Sequence, residues 1–189
     1  GLTDLTLVAH DLGGPSALAG ITEIPGRIRG IVGMNAFAWR PDVRALRFML
    51  ALMGSRFIRE VDALTGFLPR IASSPFGVGL HMDERSRAAF LAGVGTRGRR
   101  AFHDYVRDAR HCDHLYADVH HTLTGVLADR PLLTIFGERN DPFGFQCHWK
   151  QLFPEARQEV VARGNHFPMC DDPDLCARVI REWHRDLVG

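Results

Sequence analysis

Leu7-Val-Ala-His-Asp-Leu-Gly-Gly-Pro15 closes a short apolar run, residues 5–9, on a carboxylate and then turns through two glycines. The stretch that follows, from Pro15 to about Glu23, is rich in Ala and Leu and predicts a helix. The opening of the chain therefore reads as strand, sharp glycine turn, helix. Asp11 stands two residues past the run, with Ala9 before it and Gly13-Gly14 after it. A strained strand-to-helix turn that presents a nucleophile needs this pattern, because small neighbours let the strand and helix backbones approach closely. The helix start also aims backbone N–H groups at Asp11 and favours negative charge there. Taken alone, Asp11 also fits the N-cap of that helix.

Outward from the turn, Ile28 to Met34 is a second apolar run, short enough for a buried parallel strand. From Trp39 to about Leu127 apolar residues recur at helical spacing, as in Leu46, Met49, Leu50 and Met53, and then Phe57, Val61 and Leu64. Strand signals return at Pro131–Phe136 and Gln158–Ala162, and an amphipathic helix runs from Pro173 to about Leu187. Strands alternating with helices specify a parallel α/β sheet. The domain reading is a core over residues 1–38, a helical insertion over 39–127, and a second stretch of core over 128–189.

Two further loops carry chemistry. Gly137-Glu-Arg-Asn-Asp141-Pro142 follows the third strand, and Gly164-Asn-His166-Phe-Pro168 follows the fourth. In a doubly wound sheet, functional groups collect at the carboxyl ends of strands. The chain order nucleophile, acid, histidine is that of the α/β-hydrolase triad. Asp11 is expected as nucleophile, His166 as general base, and Asp141 as the acid that orients the imidazole.

Leu7–Pro15, Phe136–Pro142 and Gly164–Pro168 resemble the nucleophile, acid and histidine segments of haloalkane dehalogenases and epoxide hydrolases of the α/β-hydrolase superfamily. The helical insertion is similar to their cap domain. The resemblance implies a cofactor-free hydrolase with a parallel-sheet α/β-hydrolase fold and a small apolar substrate, a haloalkane or an epoxide. An aspartate nucleophile is already ionised at neutral pH and attacks carbon directly, leaving an alkyl ester. Water activated by His166 then hydrolyses that ester, with the Leu12 backbone N–H as one oxyanion donor. The sequence departs from these families at Leu12, where they usually carry a Trp that helps hold the leaving halide. Trp39 is the candidate replacement donor. Tyr105 and Tyr116 are the candidate proton donors for an epoxide, and Asn35, Trp39, Tyr105, Tyr116 and Phe143 are the candidate pocket residues. Asn35 stands where some dehalogenases place their acid, and an amide cannot be the anionic partner of histidine, which leaves Asp141. A ligand-binding protein on the same scaffold is the non-catalytic alternative. The same comparison places further strands, and the second oxyanion donor, upstream of Gly1. Without them, residues 5–9 are expected to form an open apolar sheet edge prone to aggregation.

Composition narrows the rest. A formal net charge of +1 and a single lysine, Lys150, among 23 basic residues scattered between acids give no nucleic-acid or anionic-membrane footprint. No apolar run approaches the ~18 residues of a membrane span. The four cysteines, Cys112, Cys147, Cys170 and Cys176, have no paired C-x-x-C spacing and read as reduced thiols in a cytoplasmic protein. His111, His114, His120 and His121 cluster near Cys112 but fit no zinc spacing, so no metal is expected. The oligomeric state is left open.

Overall fold

The computed structural model describes residues 1–188. The run before Asp11 forms β1 (Leu5–His10), followed by α1 (Gly13–Ile21) and β2 (Ile28–Met34). Five helices come next: α2 (Arg44–Met53), α3 (Arg56–Thr65), α4 (Phe67–Ala72), α5 (Glu84–Gly93) and α6 (Thr96–Ala109). The chain then continues through α7 (Asp113–Thr124), β3 (Leu132–Gly137), α8 (Phe145–Leu152), β4 (Arg157–Val161), α9 (Pro168–Asp171) and α10 (Pro173–Val188). The four strands form one parallel sheet in the order β1-β2-β3-β4, so all their carboxyl ends lie along one edge.

The chain divides into two compact units, one of Gly1–Trp39 with His114–Gly189 and one of Arg40–Asp113. In the first, alternation along the strands sends neighbouring residues to opposite faces. Ile31, Leu132 and Phe136 pack with Leu18 and Ile21 of α1, Val119 and Leu123 of α7, and Trp149 of α8. Val32, Met34, Leu133, Ile135 and Val161 face the other way, onto Cys176, Val179 and Trp183 of α10. This second face buries the apolar stripe read from the sequence of the terminal helix. It starts at Asp172, whose carboxylate accepts from Leu175 N at 2.9 Å. Helix α7 packs with the sheet, because its Val119 and Leu123, and Leu127 just beyond its end, are buried in the sheet's core. Within the expected insertion of residues 39–127, it is therefore α2 to α6 that form the separate unit. Along β1, Val8 is half exposed.

The second unit is organised around a carboxylate–imidazole pair with almost no solvent access: Asp62 is 0% and His103 1% exposed. His103 Nε2 lies 3.1 Å from Asp62 Oδ2, while His103 Nδ1 donates to the Met53 carbonyl at 2.6 Å. Asp62 Oδ1 accepts from Leu68 N at 2.8 Å. One pair thus fastens the end of α2, the middle of α3, the start of α4 and α6. The Arg97–Arg100 run opens α6: Arg99 donates to the Ala63 carbonyl at 2.8 Å and Arg100 pairs with Glu60 at 2.6 Å. All four cysteines are free thiols.

Removing one partner of a buried pair strands the other without compensation, at a cost of about 3–5 kcal/mol. Asp62→Ala is therefore expected to lower stability by an amount of that order in chemical denaturation. A loss below ~1 kcal/mol, the range of exposed ion pairs, would mean that the pair does not organise its unit.

Candidate active site

Asp11 follows the last residue of β1 and adopts φ +51°, a left-handed conformation uncommon for a side-chain-bearing residue. Two backbone bonds hold it there. Asp11 N donates to the Met34 carbonyl at 3.3 Å, and Gly14 N donates to the Asp11 carbonyl at 2.9 Å. Gly14 is required by space: a Cβ there would stand 2.9 Å from Ala36 Cβ and 3.0 Å from the Phe37 carbonyl oxygen. Asp11 is not the cap of α1. Leu12 occupies the N-cap position and no side chain caps the helix, so the Asp11 carboxylate faces the site instead.

His166 Nε2 lies 3.5 Å from Asp11 Oδ2, with 30% and 37% of the two side chains exposed. Burial alone would raise the Asp11 carboxyl. The hydrogen bond and charge of His166, the Leu12 backbone N–H on the carboxylate and the nearby His10 outweigh it, and hold Asp11 below its ordinary value. A lowered carboxyl is a charged, attacking carboxylate at neutral pH.

The histidine loop is held by groups on three strands. His10, at the end of β1, donates from Nε2 to the His166 carbonyl at 2.8 Å, and the two rings lie 4.9 Å apart. Asn35, at φ +40° after β2, donates from Nδ2 to the carbonyls of Asn165 and His166 at 2.9 and 2.8 Å. Its Oδ1 accepts from Gly137 N at 3.1 Å, at the end of β3. Gly137 is a further close approach: a Cβ there would stand 2.1 Å from the Asn165 carbonyl oxygen. Asp171 Oδ2 accepts from Asn165 N at 2.5 Å and fixes the loop from α9.

The expected acid, Asp141, is placed at the start of α8. Both Asp141 carboxylate oxygens are engaged by the start of α8, with Phe145 N at 2.7 Å and Gln146 N at 3.0 Å. The residue at His166 Nδ1 is its neighbour Asn140, whose Nδ2 lies 3.1 Å away. Those two bonds aim the Asp141 carboxylate at the start of the helix, and Asn140 stands at the ring nitrogen instead. Asn35, expected in the pocket, has a buried amide bonded to backbone through both Nδ2 and Oδ1.

No protein-family model matches the chain, and none of the curated proteins does. Solved structures match throughout. An ancestral haloalkane dehalogenase superposes with a TM-score of 0.80 at 17% identity, covering 99% of this chain and 70% of its own. The haloalkane dehalogenase DatA from Agrobacterium tumefaciens gives 0.72 at 16% identity, covering 98% and 68%. A thermophilic esterase from Thermogutta terrifontis also gives 0.72 at 16% identity, covering 98% and 66%.

The chain has the α/β-hydrolase fold.

In this α/β-hydrolase fold, the sheet unit places Trp39 in an aromatic group: stacked on His148 at 4.0 Å and edge-on to Phe145 and Trp149 at 5.5 and 5.3 Å. Packing accounts for its position. Phe143 joins the same group through Phe145 at 5.6 Å. Tyr116 is buried on α7 in the sheet unit, whereas Tyr105 is exposed on α6 in the other. Among the described residues, no three His, Cys, Asp or Glu side chains are placed to hold a metal ion. Nor is any helix among them long and apolar enough to cross a membrane. A cleft lined by Arg27, Arg29 and Arg130 opens beside the amino ends of β2 and β3, opposite the edge that carries Asp11.

His10 was not legible as a site residue from sequence, and Asn35 was expected in the pocket and not as the brace of the histidine loop. The cue for His10 was its adjacency to Asp11, and alternation along a strand argued against it. Burial, offset in part by the hydrogen bond to the His166 carbonyl, pulls the His10 pKa below its ordinary 6.5. The folded state then binds the proton less well than the unfolded chain. His10 therefore adds stability above pH 6.5 that is lost as pH falls from 6.5 through its folded value. Denaturation at pH 7.5 and pH 5.5 should show this loss, and His10→Asn should shrink it. An unchanged slope in the variant would assign the pH dependence elsewhere.

Asn35→Leu removes all three bonds and leaves the buried Gly137 N–H unmet, at about 1–3 kcal/mol for each unsatisfied group. The expected result is a destabilised protein whose amides at Gly137 and in the 164–167 loop exchange faster. Unaltered exchange there would show that Asn35 does not hold the loop.

Proposed function

We propose that this chain is a hydrolase that uses Asp11 to displace a leaving group from carbon, in the manner of a haloalkane dehalogenase. The observation that carries the reading is the carboxylate of Asp11, raised on a strained strand-to-helix turn, hydrogen-bonded by Leu12 N–H and faced by His166 Nε2 at 3.5 Å. A Ser or Cys at this position would need its proton removed first, and a carboxylate does not. Its natural substrates offer a saturated carbon with a departing group, which favours alkyl halides. Attack on a carboxylic ester would instead form a mixed anhydride. The likeness to the esterase therefore bears on the fold and not on this chemistry.

In the first half of the reaction an Asp11 oxygen bonds to the carbon, the carbon–halogen bond breaks and halide departs with the electron pair. In the second, water adds to the ester carbonyl and gives its proton to His166 Nε2. The Leu12 N–H already rests on the Asp11 carboxylate, so it is placed to hold the oxyanion that forms on the same group. Collapse expels the alcohol, which takes the proton back from the imidazolium. An epoxide hydrolase would need a proton donor on the departing oxygen, with Tyr105 and Tyr116 as its candidates.

The test is bromide release from 1-bromobutane and diol formation from styrene oxide by the chain and by Asp11→Asn. Bromide release that the substitution lowers at least 10³-fold, an order typical of losing an essential catalytic group, is the expected result. Diol without bromide would move the assignment to epoxides. If neither product forms while the variant keeps affinity for apolar ligands, the chain is a binding protein on this scaffold.

A further inference from the structure

The two halves of the proposed reaction make unequal demands on His166, and the structure meets them unequally. Alkylation of Asp11 needs no base. Ester hydrolysis needs an Nε2 lone pair toward water, a proton on Nδ1, and a group behind the ring that stabilises the imidazolium. The atom behind the ring is Asn140 Nδ2, 3.1 Å from Nδ1. With Asn140 Nδ2 toward Nδ1, the ring proton belongs on Nε2, toward Asp11 Oδ2 at 3.5 Å. With the amide turned, Asn140 Oδ1 accepts from Nδ1–H instead. In either orientation the partner behind the ring is uncharged and supplies no anion to stabilise the imidazolium.

Neither strand end that flanks the histidine loop turns a carboxylate to His166 Nδ1 among the described contacts. The end of β2 carries Asn35, whose amide is fully bonded to backbone. The loop after β3 carries Asn140, while the adjacent Asp141 is held by Phe145 N and Gln146 N. In the serine-protease triad, changing the carboxylate behind the histidine to an amide lowers turnover by roughly 10⁴ through the wrong tautomer.

We infer that Asn140 makes hydrolysis of the Asp11 ester the slow half of the cycle, so that the chain accumulates as an alkyl-enzyme after its first turnover. Asn140 is a positioning residue here, acting through His166. The inference rests on Asp11 being an alkylated nucleophile, and its own content is the imbalance between the two steps.

Rapid-quench measurement of bromide from 1-bromobutane, with intact mass of the quenched protein, reads both. The expected result is a burst of one bromide per chain, a mass gain of one butyl group mapping to Asp11, and a slow steady state. Asn140→Asp should speed the slow phase at least 10-fold and give it a new dependence on pH, which a merely structural change would not. Steady bromide release from time zero with no adduct would overturn the inference and leave the nucleophile reading standing. A burst whose slow phase Asn140→Asp fails to accelerate, in a variant whose circular dichroism matches the parent, would overturn it too. Neither bromide nor adduct from either protein would remove the nucleophile reading, and the inference with it.

Discussion

Asn35 stands where β2 ends, and its side chain touches the two other segments that the site needs. Through Nδ2 it holds the carbonyls of Asn165 and His166, and through Oδ1 it holds Gly137 N. Each of these backbone groups lies in a loop or at a strand end, where the ladder no longer supplies a partner. Buried without one, each would cost the desolvation of a peptide group. One amide meets all three, and its own φ of +40° is the strain accepted in return. His10 adds a second donor to the His166 carbonyl from β1. The position of the imidazole relative to Asp11 is therefore fixed by its backbone, from three strands, while its ring stays partly solvated.

That partial solvation decides the electrostatics at Asp11. A half-buried carboxyl would ordinarily rise in pKa, because burial disfavours its charged form. Here the Leu12 N–H and the imidazole hold it low despite the burial. The turn that strains Asp11 is also what brings Leu12 N–H onto its carboxylate, so backbone strain and charge stabilisation come from the same local geometry. Gly14 makes it possible, since any side chain there would press on Ala36 and Phe37 and push α1 off the strand.

Much of this could be read from the chain alone, for identifiable reasons. The strands of the sheet are apolar runs bounded by turn residues, and a parallel sheet buried on both faces demands that pattern. The second strand, Ile28–Met34, has the bounds that its sequence predicts. The elbow was legible because its steric requirement, small residues around an acid, is local. The partner of His166 was not. Asn140 and Asp141 are neighbours in a loop, and a step of one residue there points a side chain in a different direction. Which of them faces the imidazole depends on whether α8 claims the carboxylate for its own unpaired N–H groups. Helix periodicity likewise could not show that α7 packs on the sheet, because periodicity reports a buried stripe and not what it is buried against.

The molecule contains the same two side chains in two roles, and the contrast shows what makes one pair chemical. Asp62 and His103 lie 3.1 Å apart with no solvent access. Their remaining polar atoms are bonded to the Met53 carbonyl and Leu68 N. With every atom engaged and no room for a third molecule, that pair can only hold its helices together. Asp11 and His166 lie 3.5 Å apart, about a third exposed, and on the far side of the ring stands a neutral amide. The longer contact leaves both groups able to exchange each other for a substrate carbon or a water, which a saturated buried pair cannot do. Reactivity in this chain therefore follows from incomplete engagement held in a rigid frame. The residue types alone do not produce it.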